Sequence, residues 1–272
     1  YNVNPILDGI DDHIARVKQI EPWGYNTAYA LSAKYNLHRN YAEFLLDKGR
    51  LRAKQINQIL GSVEAEKKTA FDADYIEKLY QDFQNNEVDD AKLRRQLKEK
   101  WSGRKILILA PGASLLEAKE KISAFIQEKN PVVIAANFLP AQFSVDYVFC
   151  SNAMRFEGLR NHARGAELLV TSNLLDMCEG KEFLLNYSEL SFDENGNCDN
   201  SVIMLLKLLR NLDIKEVSLA GFDGYREKGE NYVASYMASH YTKGEKANVR
   251  IREYGKKISQ SIKLTYLTPS LY

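Results

Sequence analysis

Short apolar runs recur along the second half of the chain, and polar stretches with helical spacing separate them. Each run holds about six residues, is rich in Val, Ile, Leu and aromatic side chains, and is mostly apolar on both of its alternating faces. Such runs are typical of strands buried on both faces of a parallel sheet that helices cover. The runs are KILILA (105–110), PVVIAA (131–136), DYVFCS (146–151), ELLVTS (167–172), FLLNYS (183–188), EVSLAG (216–221) and KLTYLT (263–268).

The polar stretches between several of these runs predict helices at 114–129, 201–211 and 245–262. Strands that alternate with helices predict an α/β fold, here a doubly wound, mostly parallel Rossmann-like sheet of about six or seven strands. Ligands of such sheets bind outside the carboxyl ends of the strands. The residues directly after each run are therefore the candidates for chemistry.

The first hundred residues have helical periodicity and contain no strong β-rich run. The pattern predicts one helix that ends at Gly49, a short helix that ends at Gly61, and two more helices separated by a break at 84–87. We therefore expect a small all-helical region at 1–100, followed by the α/β domain at 101–272.

Charge excludes several classes of partner. Thirty-seven Lys and Arg residues against 36 Asp and Glu residues give a net charge of +1, so no overall field favours nucleic acid or an anionic membrane. The basic residues near the end of the helical region alternate with acidic ones, which is typical of a solvated helix face. No apolar stretch of about 18 residues is present, so no membrane span is predicted.

Cysteine usage indicates a reducing compartment. Cys150, Cys178 and Cys198 are far apart and form no CxxC pair, which argues against a disulfide framework and against a zinc site of the usual spacing. A signal peptide is not evident either, and we expect a cytoplasmic protein. Because the chain begins at Tyr1 rather than at Met, we interpret it as a fragment of a longer polypeptide.

Small, amide and hydroxyl side chains dominate the predicted strand ends. The glycine-containing turn PGAS after the first run leads from a strand into a helix, and such turns offer backbone N–H groups to an anion. PGAS matches neither GxGxxG nor GxxxxGK[ST], so NAD and P-loop ATP are not supported, and a nucleotide phosphate or ribose is the expected ligand. The strand-end residues are Pro111–Ser114, Asn137, Ser151, Asn152, Thr171–Asn173, Gly221–Asp223 and Tyr225.

Seven short motifs carry a family resemblance. They are ILAPGASL (108–115), AANF (135–138), CSNAM (150–154), NSVIMLLKLL (200–209), LAGFDGY (219–225), SHYTKG (239–244) and IKLTYLTPSLY (262–272). By their order and spacing, residues 105–272 resemble the bacterial sialyltransferases that use CMP-sialic acid, and more distantly the Rossmann-like domains related to pterin diphosphokinases. The family's first turn reads Gly-Asn-Gly-Pro-Ser, whereas Pro111 stands at the Asn position here and removes both a side-chain contact and an N–H group.

The resemblance implies a nucleotide-sugar donor as substrate, no metal and no other cofactor. It implies that His240 is the general base, that tyrosines contact the donor phosphate, and that the glycine-rich turn and the asparagines hold the nucleotide. With the strand-end residues, the candidate donor-binding set is Gly112, Ser114, Asn137, Ser151, Asn152, Asn200, Ser201, Asp223, Tyr225 and Tyr241.

Two of these assignments have an alternative. His240 lies between a predicted strand end and a predicted helix, where a histidine of ordinary pKa can accept a proton from a hydroxyl, but a surface histidine without a role is equally compatible. Asp223 could bind a ribose or arrange the turn before Gly224, and the turn is slightly favoured.

The stretch PWGYNTAYALSAKYNLHRNYAEFLLDKGRLRAKQINQIL (22–60) carries a second resemblance. It is similar to the helical region that follows the TIM barrel in the 4-hydroxy-2-oxovalerate aldolase and isopropylmalate synthase superfamily. The resemblance implies an aldolase-like barrel in the same polypeptide, absent from this chain, so no lyase chemistry falls on any residue here.

Three functions remain open from the sequence. The first is a metal-independent glycosyltransferase-like domain. The second is a non-catalytic region that binds a nucleotide and belongs to a 2-keto-acid aldolase. Such a region would support the aldolase barrel or bring two barrels together in a homo-oligomer. The third, a diphosphokinase, needs carboxylates for Mg²⁺, and only Asp199 and Asp223 lie near the expected site.

Overall fold

The computed structural model describes residues 25–163, 165–193, 196–226, 231–233 and 244–272. It divides the chain into two compact units. The helical unit comprises the residues up to Asn85 together with Asn152–Met154, and the sheet unit comprises Asn86–Ser151 and Arg155–Tyr272. In the described part of the chain, no helix is long and apolar enough to cross a membrane.

The helical unit confirms the predicted helix ends at Gly49 and Gly61, but the stretch before Gly49 forms two helices, Tyr25–Tyr35 and Arg39–Lys48, and not one. They are separated where Asn36 adopts a left-handed conformation with φ +53°. Gly49 caps the second helix with φ +60° and donates its N–H to Leu46 O, as expected for a helix that ends in glycine. Ile56, Ile59 and Leu60 are buried on one side of the third helix. Its described elements are α1 (Tyr25–Tyr35), α2 (Arg39–Lys48), α3 (Ala53–Gly61), a 3-10 turn (Ala65–Lys67) and α4 (Ala73–Gln84).

The sheet unit is built on one sheet of seven strands, all parallel to their neighbours. Each of the seven apolar runs contains one of its strands, so the predicted α/β fold class is confirmed. The strands are β1 (Ile106–Leu109), β2 (Val132–Ala136), β3 (Tyr147–Cys150), β4 (Glu167–Thr171), β5 (Phe183–Leu185), β8 (Glu216–Ala220) and β9 (Lys263–Tyr266); β6 (Phe192–Asp193) and β7 (Gly196–Asn197) form a separate antiparallel pair.

Helices connect these strands, largely where the sequence placed them. The predicted helix 114–129 is divided at Ala118, 201–211 is a helix over its whole length, and the predicted helix 245–262 ends earlier, at Ile258. The described helices are α5 (Ala91–Trp101), α6 (Ser114–Glu117), α7 (Lys119–Lys129), α8 (Ala153–Arg160), α9 (Tyr187–Ser191), α10 (Ser201–Asn211) and α11 (Gly244–Ile258), with a 3-10 helix at Ser172–Met177.

The division between the units falls earlier than the sequence suggested, between Asn85 and Asn86 rather than near residue 100. Helix α5 belongs to the sheet unit because Leu97 and Trp101 are buried in its core. The Trp101 ring meets Tyr147 of β3 edge-on, with 5.1 Å between the ring centroids. Because the rest of α5 is mostly charged, its composition did not indicate that the helix packs on the sheet.

The order of the strands creates a topological switch point. Across the sheet the order is β5-β4-β3-β2-β1-β8-β9, so the chain moves outward from β1 to β5 and then returns to β8 on the other side of β1. Leu109 pairs with Ala135 of β2 and with Ala220 of β8, so these three strands end side by side. In doubly wound sheets, the switch point at the carboxyl ends is where ligands bind.

Candidate functional site

Two glycines bring the backbone after β1 and the backbone after β8 into contact at the switch point. The N–H of Gly112, after β1, donates to Gly221 O, after β8, at 2.8 Å. A Cβ on Gly112 would lie 2.3 Å from that oxygen, and a Cβ on Gly221, whose φ is +71°, would lie 2.1 Å from Ala110 O. Only glycine fits at either position, because the two strand exits touch through their backbones.

Asp223 lies at this switch point, and its carboxylate is buried, with the residue at 6% exposure. Its Oδ2 accepts the backbone N–H of Ser114 at 2.9 Å, and its Oδ1 accepts the Ser114 hydroxyl at 2.5 Å. A Cβ on Gly112 would also lie 2.5 Å from the Asp223 Cγ. The carboxylate therefore stands at the start of α6, where the sequence led us to expect the anion of a ligand.

Nearly all of the other backbone N–H groups at the PGAS turn donate hydrogen bonds within the protein. Pro111 has no N–H, and Ala113 N–H is the one donor of the turn without a hydrogen-bond partner among the described residues. The other N–H groups bond within the protein, Gly112 to Gly221, Leu115 to Gly112 and Leu116 to Ala113. The Pro111 carbonyl accepts the N–H of Val233 at 2.9 Å, so the segment after β8 returns to the turn.

The residues after β9 hold the loop that carries Asp223. Thr268 Oγ1 accepts the N–H of Gly221 at 2.9 Å, and Asp223 O accepts the N–H of Leu271 at 2.9 Å. Gly224 has φ +92°, and a Cβ there would lie 2.9 Å from the Leu271 Cβ. Sequence reasoning did not assign this role to the stretch after the last strand, since only the β8–β9 pairing brings it to Asp223.

Asn248 of α11 fixes the backbone of Tyr225. Its Oδ1 accepts the Tyr225 N–H at 2.9 Å, and its Nδ2 donates to Tyr225 O at 2.7 Å. The hydroxyl of Tyr272 donates to the same Oδ1 at 3.0 Å. Asn248 was not among the residues predicted from the sequence, although a polar residue at helical spacing from the buried Ile251 and Ile258 was an available signal.

Asn137 connects the ends of β2 and β3. It has φ +59°, its N–H donates to Phe149 O at 2.8 Å, and its Oδ1 accepts the Ser151 N–H at 3.0 Å. Asparagine tolerates this left-handed conformation better than most residues. Since Oδ1 holds the loop, the Nδ2 group is left with no hydrogen-bond partner among the described residues.

Ser151 lies next to this connection and is 1% exposed. Its Oγ has no hydrogen-bond partner in the described part of the chain. Asn173 Nδ2 donates to Ser151 O at 3.2 Å, and the Thr171 hydroxyl donates to Asn173 Oδ1 at 2.6 Å. The ends of β2, β3 and β4 are thus joined by amide and hydroxyl groups.

The other predicted site residues take different places. Asn200 is the N-cap of α10, because its Oδ1 accepts the N–H groups of Val202 and Ile203 at 3.1 and 3.2 Å. Ser201 is the first residue of that helix and is half-buried. Asn152 belongs to the helical unit and not to the sheet unit. His240 and Tyr241 lie outside the described residues.

The described cysteine and acidic side chains contribute little further chemistry to the carboxyl edge of the sheet. Burial, with a smaller effect of the Glu182 carboxylate, raises the pKa of the Cys178 thiol to about 11, so the thiolate is scarce at neutral pH. The described residues contain no group of three or more His, Cys, Asp or Glu side chains that could hold a metal ion. Asp223, which the diphosphokinase interpretation needs, has both carboxylate oxygens engaged by Ser114.

A scan against models of protein families found no match for the chain, and a search of curated proteins likewise found none of significant similarity. The fold, the geometry of the carboxyl edge and the motifs of the sequence are therefore what supports a proposal about function.

Proposed function

We propose that the sheet unit binds a nucleotide-linked sugar, CMP-linked by its resemblance, at the carboxyl edge of the sheet and acts as a glycosyltransferase-like domain that needs no metal ion. The switch point between β1 and β8 supports the location, because doubly wound sheets bind ligands there. The motifs shared with CMP-sialic-acid-dependent sialyltransferases support the substrate class.

The observation that carries the proposal is the arrangement of Asn137. Its Oδ1 is held by the Ser151 N–H at 3.0 Å, which leaves two Nδ2 hydrogens for a ligand at the end of β2, beside the switch point. Amide donors suit the carbonyl and ring-nitrogen acceptors of a base or the hydroxyls of a ribose. A neutral donor set of this kind fits a nucleoside better than a metal ion.

The resemblance of the motif SHYTKG (239–244) supports a role for His240 as the base. Gly244, the last residue of that motif, lies against Tyr225 in the loop after β8, since a Cβ on Gly244 would lie 3.0 Å from the Tyr225 Cβ.

In the proposed reaction, His240 removes the proton from an acceptor hydroxyl as its oxygen attacks the anomeric carbon of the donor sugar. The bond between that carbon and the phosphate oxygen of the nucleotide breaks, and the nucleotide monophosphate leaves with the electron pair. General-base assistance of this kind typically contributes about 10²- to 10⁴-fold to the rate.

Calorimetric titration with CMP, CDP, UMP, GDP and AMP tests the nucleotide site. The Asn137→Asp variant keeps the oxygen that Ser151 needs but loses the Nδ2 donors, so we expect the affinity for the bound nucleotide to fall at least about tenfold, or ~1.4 kcal/mol. Asn130→Asp is the matched control, because Asn130 is also left-handed, with φ +41°, but is exposed and precedes β2. The proposal fails if no nucleotide binds the wild-type protein.

Catalysis is tested separately with His240→Ala and a CMP-linked sugar donor. We expect unchanged nucleotide affinity and loss of sugar transfer.

Pro111, which removes an N–H from the turn, favours the second candidate, a non-catalytic nucleotide-binding region associated with an aldolase-like barrel. Saturable nucleotide binding by the wild-type protein without transfer or hydrolysis of any activated sugar would support that candidate instead.

A further inference from the structure

The turn after β1 already contains an anion supplied by the protein itself. The Asp223 carboxylate takes the backbone N–H and the hydroxyl of Ser114, which are the donors that such a turn would offer to a phosphate. Since Pro111 lacks an N–H and Gly112 donates to Gly221, Ala113 supplies the one remaining backbone donor of the turn in the described structure.

A phosphate at this place would also meet a like charge. Two negative charges a few ångströms apart repel each other, and the repulsion is stronger in the protein interior than in water because the effective dielectric constant is lower there. Asp223 is 6% exposed, so water screens its charge less than it screens that of a surface carboxylate. The buried ion is itself stabilised by the two hydrogen bonds from Ser114.

Space at the turn is limited as well. The Cα of Gly112 already lies against the Asp223 carboxylate, because a Cβ there would be 2.6 Å from Oδ2. The Val233 N–H bonds to the Pro111 carbonyl at 2.9 Å, so another segment of the chain occupies the adjoining position.

We infer that Asp223 is a specificity-determining residue that closes the 111–114 turn to phosphate. The part of a ligand nearest to this turn is then its neutral, hydroxyl-bearing portion, while its phosphate is held elsewhere. This statement about ligand orientation rests on the proposed nucleotide-binding function, whereas the closure of the turn to phosphate does not.

The test is a titration of the ¹⁵N-labelled wild-type protein and of Asp223→Ala with inorganic phosphate, followed through the backbone amides of Gly112, Ala113 and Ser114. The variant frees the N–H and hydroxyl of Ser114, so we expect saturable shifts of these amides in the variant and none in the wild-type protein. Asp176→Ala is the matched control, because it removes one exposed carboxylate that also follows a strand at this edge. We expect it to behave like the wild-type protein.

Two results overturn the inference: saturable phosphate shifts at these amides in the wild-type protein, or their absence in a folded Asp223→Ala. If that variant does not fold, Asp223→Ser, which retains one acceptor for Ser114, takes its place in the same titration. A second titration compares CMP with cytidine in the wild-type protein, and we expect equal shifts of the Ser114 amide. If neither compound binds, a CMP-linked donor is excluded from the proposed function, while the phosphate result still decides the role of Asp223.

Discussion

Gly112 and Gly221 bring two strand exits into backbone contact at the switch point, with 2.8 Å between the nitrogen of the first and the carbonyl oxygen of the second. Because a Cβ on Gly112 would lie 2.3 Å from that oxygen and 2.5 Å from the Asp223 Cγ, no side chain fits without moving β1 relative to β8. This relationship makes the turn a fixed element of the sheet and not an open loop.

Replacing Gly112 with alanine is therefore expected to destabilise the sheet unit by more than about 2 kcal/mol, or to prevent its folding. The control is Gly158→Ala, because a Cβ on Gly158 meets no atom within 4 Å and the residue lies inside α8. Alanine there should raise the free energy of unfolding by about 0.5–1 kcal/mol. Urea denaturation of both variants measures the difference, and equal stability of the two would contradict the observed contact.

The Ser114 hydroxyl is expected to stabilise the folded state through its bond to the Asp223 carboxylate at 2.5 Å. Hydrogen bonds to charged groups typically contribute about 1.5–3 kcal/mol, so Ser114→Ala should lower the free energy of unfolding by that amount. Ser259→Ala removes an exposed hydroxyl that donates to a backbone carbonyl, Lys256 O, and should change the free energy of unfolding by less than about 0.5 kcal/mol. Chemical denaturation monitored by circular dichroism compares them, and similar losses from both changes would argue against the contribution of Asp223.

The helical unit should lose stability in acid through Asp72, the N-cap of α4. A hydrogen bond from the Tyr75 N–H and, next, one from the Lys67 ammonium group lower the pKa of this carboxyl from 3.8. Because its pKa is lower in the folded state, the stabilisation is complete above the unfolded-state pKa and disappears as the pH falls through the folded-state value.

Asp72→Asn should show a flatter decline of stability with falling pH than the wild-type protein. Asparagine still caps a helix but carries no charge to lose. Urea unfolding between about pH 6 and about pH 2 measures both curves, and the linkage to Asp72 is absent if the two remain parallel.

Cys178 should react slowly with iodoacetamide at neutral pH. Burial, followed by the negative charge of Glu182, raises the pKa of its thiol from 9.0 to about 11. Two pKa units lower the thiolate fraction about 100-fold, and the thiolate is the reactive form. Mass spectrometry of the timed reaction in native buffer and in denaturant should show a rate at least about tenfold lower in the native protein. Equal rates would contradict the burial of this thiol.

Much of the fold follows from local sequence. The seven runs could be located because apolar residues occupy both alternating positions, a pattern that belongs to strands covered on both faces. Gly49 could be identified as a helix end because glycine adopts the left-handed conformation without steric strain. The attachment of α5 could not be found in this way, since Leu97 and Trp101 are two apolar positions in a mostly charged helix.

The candidate site followed from the sequence only in part. The strand ends with amide and hydroxyl side chains were identified because a doubly wound sheet places ligands there. Which of those side chains meet depends on the order of the strands and on register, which no local pattern encodes. Asn200 illustrates the limit, since the same residue type that suits a ribose also caps a helix, and its Oδ1 bonds to two α10 N–H groups.

The sequence by itself determined the class of the sheet, the positions of its strands and the expectation of an anion at the PGAS turn. Tertiary structure alone decided that the anion is Asp223, which lies 109 positions away from Ser114 along the chain. The physical reason is that β8 returns to pair with β1, so the loops that follow these two strands are brought together by hydrogen bonds between distant segments. The buried charge of Asp223 and the hydrogen bonds that Ser114 donates to it both follow from that pairing.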